Sequence, residues 1–570
     1  MPIQISCSAP PFVAQKSRKL LISAQISLFG ASGMPTSCRL RVTVVSSSIP
    51  TALTIQGIPN MWDVVTLDVV VQSTNTFDPN GVVINFVAFP AFFDSRSPTA
   101  PDSYSGTYQV DLIDAASGAT LDTRQFVLTG NANPAQAVNV AFALDHGSSM
   151  ATPDSSGVIR LDRLKAAFAR GLTLLRPTDS VGVTAYGNMN CVPLTAVPCL
   201  PASDAQLIAV GNFGKNLNLD ESLPTKKWQQ LGLDAGRLLS PTATVVLITD
   251  GVNKNPSGQV ITPPTLPTSA LIVAEEPHSP PAAAPLIVSP GGHYAIAAPQ
   301  TLGEFAIEKL LTQVLIGLAG NVFIDDPQGS LKPGESQAYS IPLVAADRQL
   351  DLIIFSNDVK ALDVHVVLQS RSTPHSKEQH CGDEPVAKNP EVIRKDGVII
   401  YRYTPPRKND DFPNFDPTVV VHRRTGPEDT KKPVRFNLLM VANSDLMLDA
   451  QVTCAGTTVG SDLLFSAVLS ECGHAWDFKE TFVWVELTHP DGFRQRVNLQ
   501  EAPLAPGRYE ATLRTFRTGT YTAHFIATGS PFFNADHHRF RRECVRSVAV
   551  FPARDCCQPQ ESNGCFDSRI

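Results

Sequence analysis

The segment Val138–Met150 (VNVAFALDHGSSM) constrains the fold of this 570-residue chain more than any other. Apolar residues follow one another almost without a break up to Asp145, and the small hydroxyl residues Ser148 and Ser149 come shortly afterwards. Such a run is typical of a strand at the centre of a parallel sheet that is covered on both faces. Open α/β sheets hold their ligands at the carboxyl ends of these strands. The oxygen atoms of Asp145, Ser148 and Ser149 therefore indicate a site for a hard divalent cation.

Strand-like and helix-like segments alternate after this point. A second apolar run ends in Asp250-Gly251, and an amphipathic helix with its apolar residues on one stripe is predicted between the two runs. In chain order the predicted elements are a helix at 161–175, a strand at 181–186, a helix at 225–239, strands at 244–250 and 270–273, and a helix at 305–318. This alternation predicts a doubly wound, mainly parallel sheet.

Four motifs in this region resemble those of the von Willebrand factor A (VWA) family. They are Asp145-His-Gly-Ser-Ser-Met150, Ser180-Val-Gly-Val-Thr-Ala-Tyr186, Leu247-Ile-Thr-Asp-Gly251 and Gly291-Gly-His-Tyr294. They occur in the family's order within residues 137–322, about a third of the chain. The resemblance implies a Rossmann-like VWA domain. A different Rossmann-like domain is the alternative.

The resemblance also implies a metal-ion-dependent adhesion site (MIDAS). Its matched ligands are Asp145, Ser149, Thr225 and Asp250. The match of Thr225 is the least direct, because 220–224 replace the family's glycine-rich lead-in. Gly147 stands where the family has its first motif serine, so one hydroxyl ligand is missing unless Ser148 substitutes through a shift of the turn.

The expected ion is Mg²⁺, with Mn²⁺ or Ca²⁺ as alternatives. Mg²⁺ fills gaps in its octahedral shell with water, so the loss of one hydroxyl weakens such a site without abolishing it. The competing interpretation is structural: Asp145 and Ser149 order the turn after the strand by bonding to backbone groups. His146 is not a family ligand and is expected to be a surface loop residue.

The flanking regions favour β modules. Only 17% of the residues are charged and 46 are proline, which is unlike a protein of long solvated helices. The expected division is a tail at 1–36, a β-sandwich at 37–136, the VWA domain at 137–322, a β-sandwich with long loops at 323–435, an immunoglobulin-like sandwich at 436–553 and a cysteine-containing tail at 554–570. The tail at 1–36 has alternative interpretations as an edge strand or a signal peptide.

Within the last sandwich, two glycine-led alternating runs, 506–513 and 518–527, predict a β-hairpin. The order of a VWA domain followed by β-sandwiches resembles calcium-activated chloride channel regulators and bacterial surface VWA proteins. Those regulators carry a His-Glu-x-x-His protease motif, which this sequence lacks.

Eleven cysteines, several of them close together, favour an oxidising compartment and hence an extracellular or cell-surface location. Cys191 and Cys199 are close enough in sequence to bridge a loop. The three cysteines of the tail, with His537 and His538, form a possible zinc site of non-standard spacing.

The sequence favours a binding protein over an enzyme. It contains no Gly-x-Ser-x-Gly elbow, phosphate loop or metalloprotease helix. The net charge of −7 predicts no nucleic-acid partner, and no apolar run is long enough to span a membrane. The expected partner is a protein whose acidic side chain completes the metal site. A metal-independent VWA interaction platform is the first alternative, and a hydrolase is the second.

Overall fold

In the computed structural model, the described residues are 4–8, 11–15, 20–29, 37–48, 53–55, 64–70, 82–88, 102–133, 137–153, 157–187, 196–220, 236, 238–240, 242–250, 268–272, 294–296, 304–344, 346–370, 391–403, 415–425, 432–456, 458–475, 480–530 and 539–552. Strands dominate these ranges, and large antiparallel sheets of the kind found in β-sandwiches account for most of them. Within these ranges, every helix is too short or too polar to cross a bilayer.

The described part of the amino-terminal region contains nine strands in two sheets. They are β1 (Gln4–Ser8), β2 (Phe12–Gln15), β3 (Leu20–Phe29), β4 (Ser37–Ser47), β5 (Leu53–Ile55), β6 (Val64–Val70), β7 (Val82–Ala88), β8 (Asp102–Asp114) and β9 (Thr120–Asn133). One sheet has the order β1-β3-β7-β5 and the other β2-β9-β8-β4-β6. The segment expected to be a tail or an edge strand therefore contributes β1 to β3. Alternating residues such as Leu40, Val42, Val110 and Leu112 are fully buried.

The central region is a six-stranded sheet with helices. Its elements are β10 (Asn139–Asp145), α1 (Arg160–Leu172), β11 (Ser180–Tyr186), β12 (Val197–Pro201), α2 (Asp204–Lys215), β13 (Thr244–Thr249), β14 (Thr268–Ile272), β15 (Tyr294–Ile296) and α3 (Ala306–Leu318). The strand order is β12-β11-β10-β13-β14-β15, and all neighbours are parallel except the edge strand β12. The predicted helix at 225–239 lies outside the described residues apart from Gly236 and 238–239, which are helical.

The three helices pack on one face of this sheet. Val140, Phe142 and Leu144 of β10 point to that face and join a core with α1, α2 and α3. Phe142 meets Phe168 of α1 edge to face, with ring centroids 5.0 Å apart. Gly214 of α2 lies so close that a Cβ there would be 2.5 Å from the Phe168 ring, so the absence of a side chain allows α2 to pack against α1. On the other face, Gly236 is packed against Val245.

In the carboxyl-terminal region, the residues with described placement form seventeen strands. They are β16 (Val322–Asp325), β17 (Gln328–Leu331), β18 (Ser336–Ser340), β19 (Asp347–Ser356), β20 (Leu362–Ser370), β21 (Glu391–Lys395), β22 (Val398–Tyr403), β23 (Phe415–Arg423), β24 (Val434–Ser444), β25 (Leu446–Cys454), β26 (Asp462–Glu471), β27 (His474–Ala475), β28 (Phe482–Thr488), β29 (Arg494–Ala502), β30 (Ala505–Arg514), β31 (Gly519–Gly529) and β32 (Phe540–Val550). Fourteen of them form one continuous sheet, and β18-β23-β20 form a separate sheet packed against it.

The large sheet also packs against the central region. Along β19, Leu350, Leu352 and Ile354 face the three-stranded sheet, whereas Ile353 and Phe355 face α3 in a separate core with Phe305 and Ile316. This alternation follows from the period of two in a strand. The large sheet is therefore covered by β strands on one side and by a helix on the other.

One prediction of local structure is wrong. β30 pairs with β26 and β29, while β31 pairs with β28 and β32, so the expected hairpin between β30 and β31 does not form. The chain instead crosses from one layer of the sandwich to the other. Phe465 of β26 meets Phe525 of β31 across the core, with ring centroids 6.2 Å apart.

The bridge suggested between Cys191 and Cys199 involves a residue outside the described ranges, Cys191. Cys199 has a free thiol.

The contact between Phe142 and Phe168 gives a stability prediction. We expect Phe168→Ala to lower the free energy of unfolding by about 3–5 kcal/mol, because it removes a buried ring and leaves a cavity between α1, α2 and β10. The denaturation midpoint of the full chain checks this. Ile208→Ala, at a position of α2 that is 60% exposed, is the matched control and should change the value by less than about 0.5 kcal/mol. Equal midpoints for both variants would contradict the packing described.

Candidate functional site

Asp145 lies at the carboxyl end of β10, where the order of strands in the central sheet reverses. β10 has β11 on one side and β13 on the other, both parallel to it. A crevice opens at such a position, and α/β sheets bind ligands there. Asp145 is fully buried and Asp250, directly after β13, is 3% exposed. The two predicted acids thus come from neighbouring strand ends.

Both carboxylate oxygens of Asp145 accept hydrogen bonds from the protein. The Thr249 hydroxyl donates to Oδ2 at 2.6 Å, and the Gly147 amide donates to Oδ1 at 2.9 Å. These bonds are the compensation that a buried carboxylate needs. They also fix the turn that leads into the 3-10 turn Ser148–Ala151, as the structural interpretation of Asp145 predicts.

Tyr186 of β11 lies beside Asp145, its register partner on β10. Its side chain is buried, and burial is the main reason why the pKa of its hydroxyl is well above the usual range. The negative charge of Asp145 and, to a smaller extent, that of Asp250 raise this pKa further, while the nearby Thr249 hydroxyl opposes the shift. The ring therefore stays protonated beside both carboxylates.

His146 and Asp220 complete the edge of the site. The His146 amide donates to the Tyr186 carbonyl at 3.1 Å, and the Asp220 amide donates to the His146 carbonyl at 2.8 Å. The carboxylate of Asp220 rests on Gly187, where a Cβ would lie 2.4 Å from Oδ2. A third acid thus reaches the ends of β10 and β11.

The expectation for His146 is wrong, because the residue is buried rather than on the surface. Its Nδ1 lies 2.8 Å from the Asn218 carbonyl. A carbonyl only accepts, so Nδ1 carries the proton. His146 therefore holds the segment before Asp220 in place.

The remaining predicted ligands differ in their placement. Ser148 is exposed and Ser149 is half-buried, both in the 3-10 turn after Gly147. Thr225 lies outside the described residues.

Sequence reasoning missed Tyr186 and Asp220 as members of the site, and it treated Thr249 only as part of a motif. No local sequence signal marks Thr249 as the partner of Asp145, because the contact depends on the register in which β10 and β13 pair.

The donor types at this edge of the sheet suit a hard divalent ion. Asp145, Asp220 and Asp250 carry carboxylates, and Ser148 and Ser149 carry hydroxyls nearby in sequence, as Mg²⁺ or Ca²⁺ prefers. The ligand atoms of the three acids do not all lie within 4.8 Å of one another, so the acids alone do not form a closed set of ligands. A carboxylate oxygen that accepts one hydrogen bond keeps a second lone pair. The two hydrogen bonds of Asp145 are therefore compatible with an ion.

A second polar cluster, which sequence reasoning also missed, lies between the central region and the large sheet. Its members are Lys309 of α3, Asp325 of β16, Asp326, His524 of β31, and Arg541 and Glu543 of β32. His524 Nε2 is 3.0 Å from Glu543 Oε2, and Lys309 contacts Asp326. Arg541 contacts Glu543 and lies 3.4 Å from Asp325. The residues come from four elements, so no local spacing marks them.

Within this cluster, ligand atoms of Asp326, His524 and Glu543 lie within 4.8 Å of one another, a separation compatible with a metal ion. The cluster already contains two cations, Lys309 and Arg541, so we interpret it as an ion-pair network between the two regions. Burial raises the pKa of Asp325 to about 6 and lowers the pKa of Lys309 to about 8.

Comparison with known proteins does not establish a family. No protein-family model matches the chain, and no curated protein matches it in sequence.

Among solved structures, a von Willebrand factor type A protein from Catenulispora acidiphila aligns with 65% of this chain and 68% of its own, at 12% identity and a TM-score of 0.23. A DUF4785 family protein from Legionella pneumophila aligns with 40% of this chain and 64% of its own, at 10% identity and a TM-score of 0.23. A PapD-like domain of human CEP192 aligns with 23% of this chain and 87% of its own, at 10% identity and a TM-score of 0.15. Superpositions this weak carry no conclusion about family or function.

The hydrogen bond from Thr249 to Asp145 can be tested by removing the hydroxyl. We expect Thr249→Val to lower the free energy of unfolding by about 1–3 kcal/mol, because a buried carboxylate loses a donor while the side-chain shape is kept. Thr249→Ser retains the hydroxyl and is the control. Thermal or urea unfolding of both variants measures the difference, and a valine variant as stable as the serine variant would rule the bond out as a stabilising contact.

The raised pKa of Asp325 predicts a pH dependence of stability. The folded state binds the proton of Asp325 more tightly than the unfolded state, because its pKa is about 6 when folded. The stabilising effect of this proton is complete at pH values below the pKa that Asp325 has in the unfolded chain. It is lost as the pH rises through about 6, the pKa of Asp325 in the folded protein. We therefore expect Asp325→Asn to increase stability relative to wild type more at pH 7.5 than at pH 4.5, as measured by urea unfolding. A difference that does not change with pH would contradict this.

Proposed function

We propose that residues 137–322 form a doubly wound VWA domain and that the protein acts as a binding protein rather than an enzyme. The observation that carries this proposal is the meeting of Asp145 and Asp250, which are 105 positions apart in the chain, at adjacent strand ends in the central sheet. The parallel order around β10 and the four sequence motifs support the same assignment.

In this proposal the ligands of the ion are Asp145, Ser149, Thr225 and Asp250, with Ser148 in place of the hydroxyl missing at Gly147. Mg²⁺ is the expected ion, and Mn²⁺ and Ca²⁺ are alternatives. When bound, the ion would supply the positive charge that attracts an acidic side chain of a protein partner. Asp145 and Asp250 supply the negative charge that favours a divalent cation, while Thr249 and Gly147 hold Asp145 in one orientation.

A second candidate function is a metal-independent interaction platform. The hydrogen bonds to both oxygens of Asp145 favour it, because they stabilise the turn without an ion. The raised pKa of Tyr186 speaks against a hydrolase that would use its phenolate as a base, since the hydroxyl stays protonated at neutral pH. The proposed location is extracellular or at the cell surface.

Metal titration of the full chain tests the metal-dependent proposal. We expect calorimetry to detect binding of Mg²⁺ or Mn²⁺ to the wild type, and we expect Asp145→Asn to weaken it by roughly tenfold or more, because a charged ligand becomes neutral. Asp204→Asn, at an exposed acid at the start of α2, is the control. No heat with millimolar amounts of either ion would refute the metal site.

Selection from a random peptide display library on the full chain tests the binding function. Peptides that contain an acidic residue and are released by EDTA would support the metal-bridged mechanism. Peptides that remain bound in EDTA, but fail to bind after Asp145→Asn, would support the metal-independent platform. Failure to select any peptide that depends on Asp145 would contradict both.

A further inference from the structure

Two adjacent loops at one end of the carboxyl-terminal sandwich expose phenylalanine side chains. The loop between β28 and β29 carries Phe493, which is 59% exposed. The loop between β30 and β31 carries Phe516, which is 74% exposed. Register places these loops together, because Thr488 pairs with both Arg494 and Thr522. Single exposed apolar residues are common, but two large aromatic residues on neighbouring loops form a patch that indicates a binding surface.

The loops hold these side chains in fixed positions. Arg517 of the second loop forms an ion pair with Asp491 of the first. The Tyr521 hydroxyl accepts from the Arg517 amide at 3.2 Å and lies 3.1 Å from the Arg517 carbonyl. The ring of His489 lies 5.3 Å from that of Phe493 and 5.2 Å from that of Tyr521, measured between centroids. These contacts order the first loop at Phe493 and the second loop at Arg517, the residue next to Phe516.

The charges around the two rings have a small positive excess. Arg494, Arg514 and Arg517 are exposed at this end, against the acids Asp462 and Asp491. Arg517 pairs with Asp491, and Arg514 lies opposite Asp462 in the strand register, so the excess is one positive charge. We refer to Phe493, Phe516 and these three arginines as the loop tip. It is formed by loops that extend beyond the ends of their strands, with rings and guanidinium groups side by side.

This combination matches the chemistry of an anionic lipid surface. Aromatic rings favour the boundary between head groups and acyl chains, and exposed basic residues gain from a negatively charged leaflet. Arginine also binds phosphate through a planar fork of donors. A protein partner would be expected to meet these rings in a pocket of its own, whereas a bilayer accommodates protruding rings without one.

We propose that the loop tip attaches the protein to anionic phospholipid membranes as a peripheral contact, with Phe493 and Phe516 inserted and the arginines at the phosphates. This contact is separate from the site at Asp145 and does not depend on the function proposed for it. It adds a membrane surface to the binding partners of the chain.

Vesicle flotation of the full chain tests the proposal. We expect the wild type to float with vesicles of phosphatidylcholine containing roughly a third phosphatidylserine, and to do so less with phosphatidylcholine alone or at high salt. The double variant Phe493→Ser/Phe516→Ser should lose roughly tenfold or more of the partitioning, because the inserted apolar surface is gone. Leu504→Ser is the matched control: Leu504 is 97% exposed, on the turn between β29 and β30 at the opposite end of β29.

Depth of insertion supplies a second readout that does not rely on loss of binding. Phe516→Trp keeps an aromatic ring, and its fluorescence should shift to the blue and be quenched by brominated acyl chains in anionic vesicles. The proposal is overturned if the wild type does not float with anionic vesicles, if the double variant floats as well as the wild type, or if Leu504→Ser causes the same loss. Absence of flotation, together with loss of library-selected peptides in the double variant, would assign the loops to a protein partner instead.

Discussion

The hydrogen bond between the Thr249 hydroxyl and the Asp145 carboxylate is the contact on which the central site depends. Asp145 is buried at the end of the innermost strand, and an uncompensated charge there would be strongly destabilising. The donor comes from the neighbouring strand β13, so the charge is satisfied only when β10 and β13 pair in the observed register. A slip of β13 by one residue would turn the hydroxyl away, because successive side chains face opposite sides. The same bond thus fixes the strand pairing and the orientation of a potential ligand oxygen.

The sequence contains enough information for the elements around this site but not for all of its members. β10 and β13 are predictable because their apolar runs end in acids, and α1 because its apolar residues recur at helical spacing. Asp220 is not predictable in this way, since its position depends on the path of the chain after α2 and on the space left by Gly187. The prediction that His146 lies at the surface fails for a related reason. A polar residue in a turn is expected at the surface unless a buried partner is known, and its partner, the Asn218 carbonyl, is identified only by the structure.

The failed hairpin prediction has a similar cause. The alternation of apolar and polar residues along β30 and β31 correctly predicts two strands, each with one buried face. The short connection between them suggests that the two strands pair with each other. Alternation does not say which strand lies beside which, however, and a short connection can also join opposite layers. The contact between Phe465 and Phe525 and the pairing of β30 with β26 determine the second arrangement. Both involve residues far apart in sequence, so the sequence pattern of this segment alone does not distinguish the two.

Polar and charged contacts join the regions together with the apolar core around Phe355. Apolar cores are non-directional and tolerate several relative orientations, whereas a buried charge requires one particular partner. Arg542 is fully buried and contacts Asp347, Ser444 and the Leu446 carbonyl, which connects β32 to the strands β19, β24 and β25. Gln313 of α3 exchanges two hydrogen bonds with the Val545 backbone, and Lys309 contacts Asp326. These contacts join the central region to the last strand of the described chain. The site at Asp145 therefore belongs to a region that is bonded directly to the sandwich carrying the loop tip.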